Sequence, residues 1–397
     1  MTALLFFWGA LALLAYAYAG FPLLLLVRSR LVRRPQHPAD HEPTVSLIIC
    51  AHNEVSSIAE KLDNIRRLDY PSDRLEVIVA SDGSTDGTDE VVRSRADSGV
   101  RLLSLPRLGK IPTLNAAVAE ASGEILVFSD ANSMYERGAI RALVRPLADP
   151  RVGGVAGDQR YSKAASAADE GEGERAYWNI DRMLKQWQSR AGSVTSSTGA
   201  IHAIRASLFR VVPSGVTDDF WISCNVVAQR ARLVFAEDAI AIEPAASSSG
   251  LEFDRKVRVM TRGLRGVWLM RELLNPFRHG FYSIQLLSHK ILRRLVFLPL
   301  VVLAVTAPLL WADGMVYRLA TLGQAALYGT AAMGALIPGR GRFSRIASIP
   351  FFFCMVNAAA AVATLNLLRG KTIESWEPRR EAVSSGTGDS VSGEQRA

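Results

Sequence analysis

The sequence predicts an α/β domain with a mixed, mostly parallel sheet and flanking helices, joined to transmembrane and interfacial helices. From Thr44 onward, short apolar runs alternate with helical stretches, the pattern of right-handed βαβ units. Four polar motifs sit just after an apolar run or at the mouth of a helix, so they can converge at the carboxyl edge of such a sheet. Both ends of the chain carry uncharged apolar segments, at 3–27, 295–311, 319–337 and 346–368. Spans of roughly 17 to 25 residues match a hydrocarbon core of about 30 Å at a rise of about 1.5 Å per residue.

Residues 1–43 read as a transmembrane anchor with a basic linker. The first apolar run has no Lys or Arg before it and is followed by Arg28, Arg30, Arg33 and Arg34. It is too long for the apolar stretch of a cleaved signal, and a retained anchor is expected. The positive-inside rule then puts residue 1 outside and the central domain in the cytoplasm. The expected location is the cell inner (plasma) membrane, with a multi-pass topology.

Residues 44–250 carry the central domain. Val45 to Cys50, Leu75 to Ala80, Val100 to Leu105 and Ile125 to Phe128 read as buried strands. Between and after them, Glu54 to Arg67, Thr85 to Arg95, Lys110 to Ala121 and Glu136 to Leu147 read as helices. The pattern then loosens into a strand over Val155 to Tyr161, a Trp-bearing helix from Gly171 to Arg190 and a strand-like run from Thr198 to Arg205.

Residues 251–294 follow as basic amphipathic helices. Ten Lys or Arg between Arg255 and Arg294 face only Glu272 within that stretch, interleaved with Trp268, Phe277, Phe281 and Tyr282. Beside apolar spans this reads as an anionic lipid interface rather than a nucleic-acid surface. Residues 295–370 supply the carboxyl-terminal spans, and 371–397 form a polar tail expected to be disordered. Charge counting puts the Arg340, Arg342 and Arg345 loop inside but Arg369 and Lys371 outside, so one segment is expected to be interfacial or re-entrant. Cys50, Cys224 and Cys354 are odd in number and scattered, with neither a disulfide framework nor metal-ligand spacing, which fits a reducing compartment.

The motifs come in a fixed order. In Ser46-Leu-Ile-Ile-Cys-Ala-His-Asn-Glu54, the trio His52, Asn53 and Glu54 can present a ring, an amide and a carboxylate to a planar base; helix capping is the alternative for Asn53 and Glu54. In Ser81-Asp-Gly-Ser-Thr-Asp-Gly-Thr88, Asp82 can accept an N–H from uracil, although an Asp-Gly turn is commonplace. Lys110 follows Gly109 at a helix start, a place suited to a diphosphate or to a solvated surface lysine. In Phe128-Ser-Asp-Ala-Asn132, Asp130 and Asn132 supply two oxygen ligands for one hard divalent ion, with one formal charge fewer than a carboxylate pair. In Thr217-Asp-Asp-Phe220, Asp218 and Asp219 stand at a helix start, where one can act as general base or both can serve the helix terminus.

This ordered set resembles the family-2 inverting glycosyltransferases of the GT-A (Rossmann-like) fold, in the membrane branch of cellulose, hyaluronan and poly-N-acetylglucosamine synthases. The resemblance covers about residues 44 to 311. It implies a nucleotide-sugar donor, most simply a UDP-sugar, with His52, Asn53, Glu54 and Asp82 on the uridine and Lys110 near the diphosphate. It implies Mg²⁺ or Mn²⁺ on Asp130 and Asn132, with Asp219 as the base and Asp218, Thr198 and Gly199 on the acceptor side. The product implied is a growing extracellular polysaccharide with export partners; single transfer to a lipid-linked acceptor and a non-catalytic nucleotide sensor are the alternatives. Two positions depart from the family pattern. Where processive synthases carry Gln-x-x-Arg-Trp, this chain reads Arg255-Lys-Val-Arg258-Val259, which keeps Arg255 and Arg258 for the diphosphate but loses the aromatic floor under an acceptor sugar. Asn132 replaces the second Asp of the metal motif.

Overall fold

In a computed structural model, residues 1–32, 34–95, 99–161, 172–244, 249–336 and 342–373 are described. Eight strands form one sheet: β1 Val45–Ala51, β2 Leu75–Asp82, β3 Val100–Leu105, β4 Ile125–Asp130, β5 Met134–Tyr135, β6 Val152–Tyr161, β7 His202–Arg205 and β8 Arg232–Glu243. Their order is β3-β2-β1-β4-β7-β6-β8-β5. The first four strands are mutually parallel, β7 runs antiparallel to both its neighbours, and β6 and β8 are parallel. The register sets the site. Ala51 pairs with Ser81 and Cys50 with Asp130, so β1, β2 and β4 end level and His52, Asp82 and Asp130 emerge along one edge.

Alternate residues of these strands enter two apolar layers. Leu47, Ile49, Val79 and Val127 pack with Ile58 and Leu62 of the Val55–Ile65 helix and with Ile140 and Leu143. On the other face Ile48, Ile78, Leu126 and Phe128 pack with Ile111 and Leu114 of the Lys110–Ala119 helix and with Phe220 and Ile222 of the Asp218–Ala228 helix. Fully burying each such side chain contributes about 1.5–3 kcal/mol. That packing fixes the two helices whose first residues are Lys110 and Asp218.

Several expected elements change length. The Glu136 to Leu147 helix shortens to Ala139–Val144, with Arg145–Ala148 in a tighter 3₁₀ turn around Pro146. Of the strand expected from Thr198 to Arg205, only His202–Arg205 joins the sheet, while Thr198 and Ile201 form an isolated bridge. The tail expected to be disordered lies outside the described residues from 374 onward.

Two helices are long and apolar enough to cross a membrane: Thr2–Leu31 and Ile346–Leu368. The first contains a π-helical turn at Tyr16–Gly20. Phe297–Leu309 has 13 residues, about 20 Å of helix, too short alone; it passes only together with Phe281–Arg294, from which it bends by 53°. The Met315–Leu336 helix falls outside this set, so the described residues give two spans, or three with the bent pair. Phe7 and Ala10 pack against Leu303, Ala307, Leu310 and Tyr317, which joins the two ends of the chain. The basic Ser249–Leu269 helix is docked on protein: Arg262 Nε donates to the Ile373 carbonyl at 2.7 Å, and Asn366 Nδ2 donates to Thr261 Oγ1 at 3.4 Å.

Candidate active site

The loops after β1 and β2 are tied together. His52 Nδ1 donates to the Asp82 carbonyl at 2.8 Å. Asn53 takes a left-handed φ of 53°, which an Asn tolerates better than most residues; its Oδ1 accepts from the Thr85 N–H at 2.9 Å. The Val55 N–H donates to Asp86 Oδ2 at 3.0 Å and the Glu54 N–H to Thr88 Oγ1 at 2.8 Å, so the helix start is capped from the second loop. Glu54 is buried, and its carboxylate accepts from Ser57 Oγ at 2.6 Å in the helix's first turn.

Asp82 is 0% exposed. Its carboxylate accepts from the Leu108 N–H at 2.6 Å, the Gly109 N–H at 2.9 Å, Thr113 Oγ1 at 3.2 Å and the Arg107 guanidinium. The chain passes so close that a Cβ at Gly83 would stand 2.8 Å from the Arg107 nitrogen. Asp82 thus braces the 107–109 loop and aims Lys110; accepting an N–H from a base requires one of these donors to let go.

Lys110 joins the third and fourth motifs. Its Nζ lies 3.0 Å from Asp130 Oδ1 and 3.1 Å from Asp218 Oδ2. Burial alone would lower its pKa, but Asp130 and Asp218 hold it well above the ordinary lysine value. Burial likewise opposes the charge on Asp218, yet Lys110, by charge and hydrogen bond, and then His202 keep that carboxyl below the usual range. Its neighbour behaves oppositely. Burial and the Asp218 charge push Asp219 up to about 6, against the pull of the Phe220 N–H, Lys290 and Lys110. Two adjacent acids with pKa values driven apart are the arrangement in which one stays charged and the other can exchange a proton.

Gly199 arches over Asp130, where a Cβ would stand 3.2 Å from Oδ2. Thr198 accepts at its carbonyl from His202 Nδ1 at 2.9 Å. Arg255 lies on the Ser249–Leu269 helix and is held bidentately by Glu252 at 2.8 and 3.0 Å; Arg258 follows on the same helix, half-buried. Arg255 pulls weakly against the raised pKa of Glu243.

Three residues went unread in the sequence. Lys61 is 0% exposed on the inner face of its helix; it donates to Ser129 Oγ at 2.8 Å and to the Ser133 carbonyl, with Nζ 3.9 Å from the centroid of the Tyr135 ring. Burial pushes it down to about 7 against the fields of Asp130 and Glu243. Glu243 accepts from Ser133 Oγ and from Gln159 Nε2 at 2.6 Å. It ends an apolar run, the signature that marked Asp82 and Asp130. His202 stacks on Phe128 at 4.7 Å, and burial lowers its pKa to about 4.

Asp130 and Asn132 offer hard oxygen donors on one turn. Burial and the Asp130 charge raise the pKa of Glu243, so acidic charge here is incompletely neutralised, a setting that fits a divalent cation. Among the described residues no group of three or more His, Cys, Asp or Glu could hold a metal, so Asp130 and Asn132 are the candidate protein ligands.

Residues 46–212 match the family described as Glycosyl transferase family 2. The chain is 32% identical over 178 residues to the probable glycosyltransferase YdaM of Bacillus subtilis, across 42% of this chain and 41% of that protein. It is 24% identical over 203 residues to the poly-beta-1,6-N-acetyl-D-glucosamine synthase of Staphylococcus aureus, across 50% of this chain and 48% of that protein. These matches thus span less than half the length of either relative. Among solved structures, the mannosyltransferase PcManGT from Pyrobaculum calidifontis, in complex with GDP-Man and Mn²⁺, aligns with a TM-score of 0.66 and 26% identity, covering 92% of this chain and 99% of that one. Order of motifs, sheet topology and these likenesses agree: the chain carries a family 2 glycosyltransferase domain across residues 46–212.

Proposed function

We propose that this protein is a membrane-bound, inverting glycosyltransferase that moves a sugar from a nucleoside diphosphate donor to an acceptor hydroxyl, with Asp219 as the general base. The observation that carries it is the Lys110 bridge. One ammonium 3.0 Å from Asp130 and 3.1 Å from Asp218 brings the strand-end acid and the acid pair of the later helix into a single site.

The acceptor oxygen attacks the anomeric carbon from the face opposite the diphosphate, and its proton passes to Asp219. With a pKa of about 6, this carboxylate is mostly ionised at neutral pH yet remains a competent base. Asp218 stays charged and keeps Lys110 in place. Lys110 would meet negative charge growing on the leaving diphosphate, a task shared in this reading with Arg255 and Arg258 of the Ser249–Leu269 helix. A divalent cation, Mg²⁺ or Mn²⁺, held by Asp130 and Asn132 would neutralise part of that same charge. The likeness to PcManGT, a complex with Mn²⁺, supports this use of metal.

His52, Asn53, Glu54 and Asp82 lie together where the base of the donor would sit. Because the Asp82 carboxylate is already saturated with donors, the base is assigned by experiment: release of UDP against GDP from a panel of nucleotide sugars. A general base contributes about 10² to 10⁴ in rate, so Asp219→Asn is expected to lose that much kcat while still binding donor. Wild-type turnover in that variant sinks the assignment.

Two product classes follow from two observations. The likeness to a poly-N-acetylglucosamine synthase supports extension of a polysaccharide; in this reading a cytoplasmic catalytic domain at the inner membrane builds an extracellular product with export partners. Val259 in place of the family's Trp, which leaves no aromatic floor under a growing chain, favours the second class, single transfer to a lipid-linked acceptor. Product length on incubation with donor separates them: a ladder for the first, one added sugar for the second.

A further inference from the structure

Lys110 stands where a cation on the 130–132 turn would need to bind. Its Nζ lies 3.0 Å from Asp130 Oδ1, and the other oxygen, Oδ2, is roofed by Gly199, where a Cβ would stand 3.2 Å away. Asn132 carries no formal charge, so this ammonium neutralises the one charge on the turn's two oxygen donors. Beneath the turn, Lys61 and Glu243 oppose each other: Lys61 donates to Ser129 Oγ and to the Ser133 carbonyl, and Glu243 accepts from Ser133 Oγ. A divalent cation arriving alone therefore meets a carboxylate that already has its counter-ion, with a like charge beside its ligand.

The ammonium can leave Asp130 without leaving the site. The backbone before it is fixed, because the Leu108 and Gly109 N–H groups donate to Asp82 and the Thr113 N–H donates to the Gly109 carbonyl at 3.3 Å. Only the flexible stem of Lys110 has to move. Asp218 Oδ2, 3.1 Å from Nζ, tethers it from the other side. Gly109 has a φ of 93° and open space beside it, with nothing within 4 Å of an added Cβ, so an anion can approach the start of the Lys110–Ala119 helix. The Asp130 side chain is 36% exposed against 14% for Asp218, so Asp130 is the acid a solvated cation can reach once the ammonium turns away.

We propose that Lys110 withholds Asp130 from divalent cations until the diphosphate of the donor draws the ammonium across, so that nucleotide and cation enter the site as a linked pair. This rests on the glycosyltransferase reading and adds the regulation of its cation site. No covalent bond changes: the ammonium exchanges one carboxylate oxygen for phosphate oxygens and keeps Asp218. By linkage, the factor by which the nucleotide tightens cation binding is the factor by which the cation tightens nucleotide binding.

The test reads Mn²⁺ binding to the metal-stripped, full-length protein in neutral detergent from the paramagnetic resonance signal of the free ion. Without nucleotide, Lys110→Met should bind Mn²⁺ about tenfold or more tightly than wild type, and Lys110→Arg, which keeps the charge, should stay close to wild type. Lys110→Gln should repeat the gain, so the result does not hang on the folding of one variant. Adding Asp130→Asn to Lys110→Met should abolish the gain, which assigns it to this turn. Equal or weaker binding by a folded Lys110→Met or Lys110→Gln protein overturns the proposal. So does nucleotide-free wild-type binding with a Kd below about 10⁻⁴ M that Asp130→Asn removes, since the site is then open with Lys110 in place. Mn²⁺ binding needs no turnover, and release of UDP or GDP from nucleotide sugars tests the glycosyltransferase reading separately, so the two failures are distinguishable.

Discussion

Asp219 owes its raised pKa to burial and then to the charge one residue before it, so the pH dependence of turnover can be reasoned from side chains. The base acts when deprotonated; kcat/KM should therefore fall as pH drops through about 6. Asp218→Asn removes the like charge, which lowers the pKa of Asp219 and moves the acid limb to lower pH; Lys110 and Lys290 act in the same sense. A pH profile of each protein checks this, and an acid limb that stays put in Asp218→Asn refutes the coupling. Lys61 makes a second case. It is sealed beneath the Asp130 turn with Ser129, Ser133 and Tyr135 as partners, in the fields of Asp130 and Glu243. Lys61→Met should cost about 3 kcal/mol, the usual scale for removing one partner of a buried charged set. The readout is a lowered Tm in detergent, and an unchanged Tm means the lysine carries no such load.

The elements explain why a glycine matters far from the chemistry. Gly266 of the Ser249–Leu269 helix meets Phe220, where an added Cβ would stand 2.9 Å from the ring. Gly266→Val must displace Phe220 and with it the first turn of the Asp218–Ala228 helix. Misplacing a catalytic group by about 1 Å can cost about 10²-fold, so kcat should fall by up to that factor. The donor KM should change less, because Asp82 and the His52–Glu54 loop are held by one another and by the 107–109 loop rather than by this helix; parallel losses in both would mean general unfolding. The parallel strands β1 to β4 were legible because each is mostly apolar, and β1, β2 and β4 lead straight into a motif. β8 was not. Ala156 faces Phe235 whereas Asp158 faces Ile240, so the strand bulges between those pairs, and exposed Glu237 and Asp238 interrupt its apolar pattern. The motif residues were legible from type and position, and the structure gathers Lys110, Asp130 and Asp218. Their pairings were not, since the two partners of Lys110 lie 20 and 108 residues further along the chain. Lys61 reads in sequence as one more helix lysine; only the fold shows it facing Ser129.

At the scale of the whole molecule, the sheet edge that carries the site is tied to the apolar helices through Phe281–Leu286 and Ser249–Leu269. Leu5, Phe6 and Leu23 on the first helix, and Ile346, Leu365 and Leu368 on the last, present large apolar surface outward, more than water tolerates without a partner. Near them, Trp268 is 62% and Phe277 98% exposed beside Arg271 and Arg278, the pairing of aromatics and cations found at a headgroup layer. Two modes of attachment therefore make opposite forecasts. If the basic surface alone held the protein to anionic lipid, about 1 M salt would release it, because screening shortens to about 3 Å. The Thr2–Leu31 helix has 30 residues, about 45 Å of length against a core of about 30 Å, and burial of its apolar side chains is insensitive to salt. Washing isolated membranes with high salt and then at alkaline pH should leave the full-length protein in the pellet. Recovery in the salt wash would show that the apolar helices do not enter the bilayer.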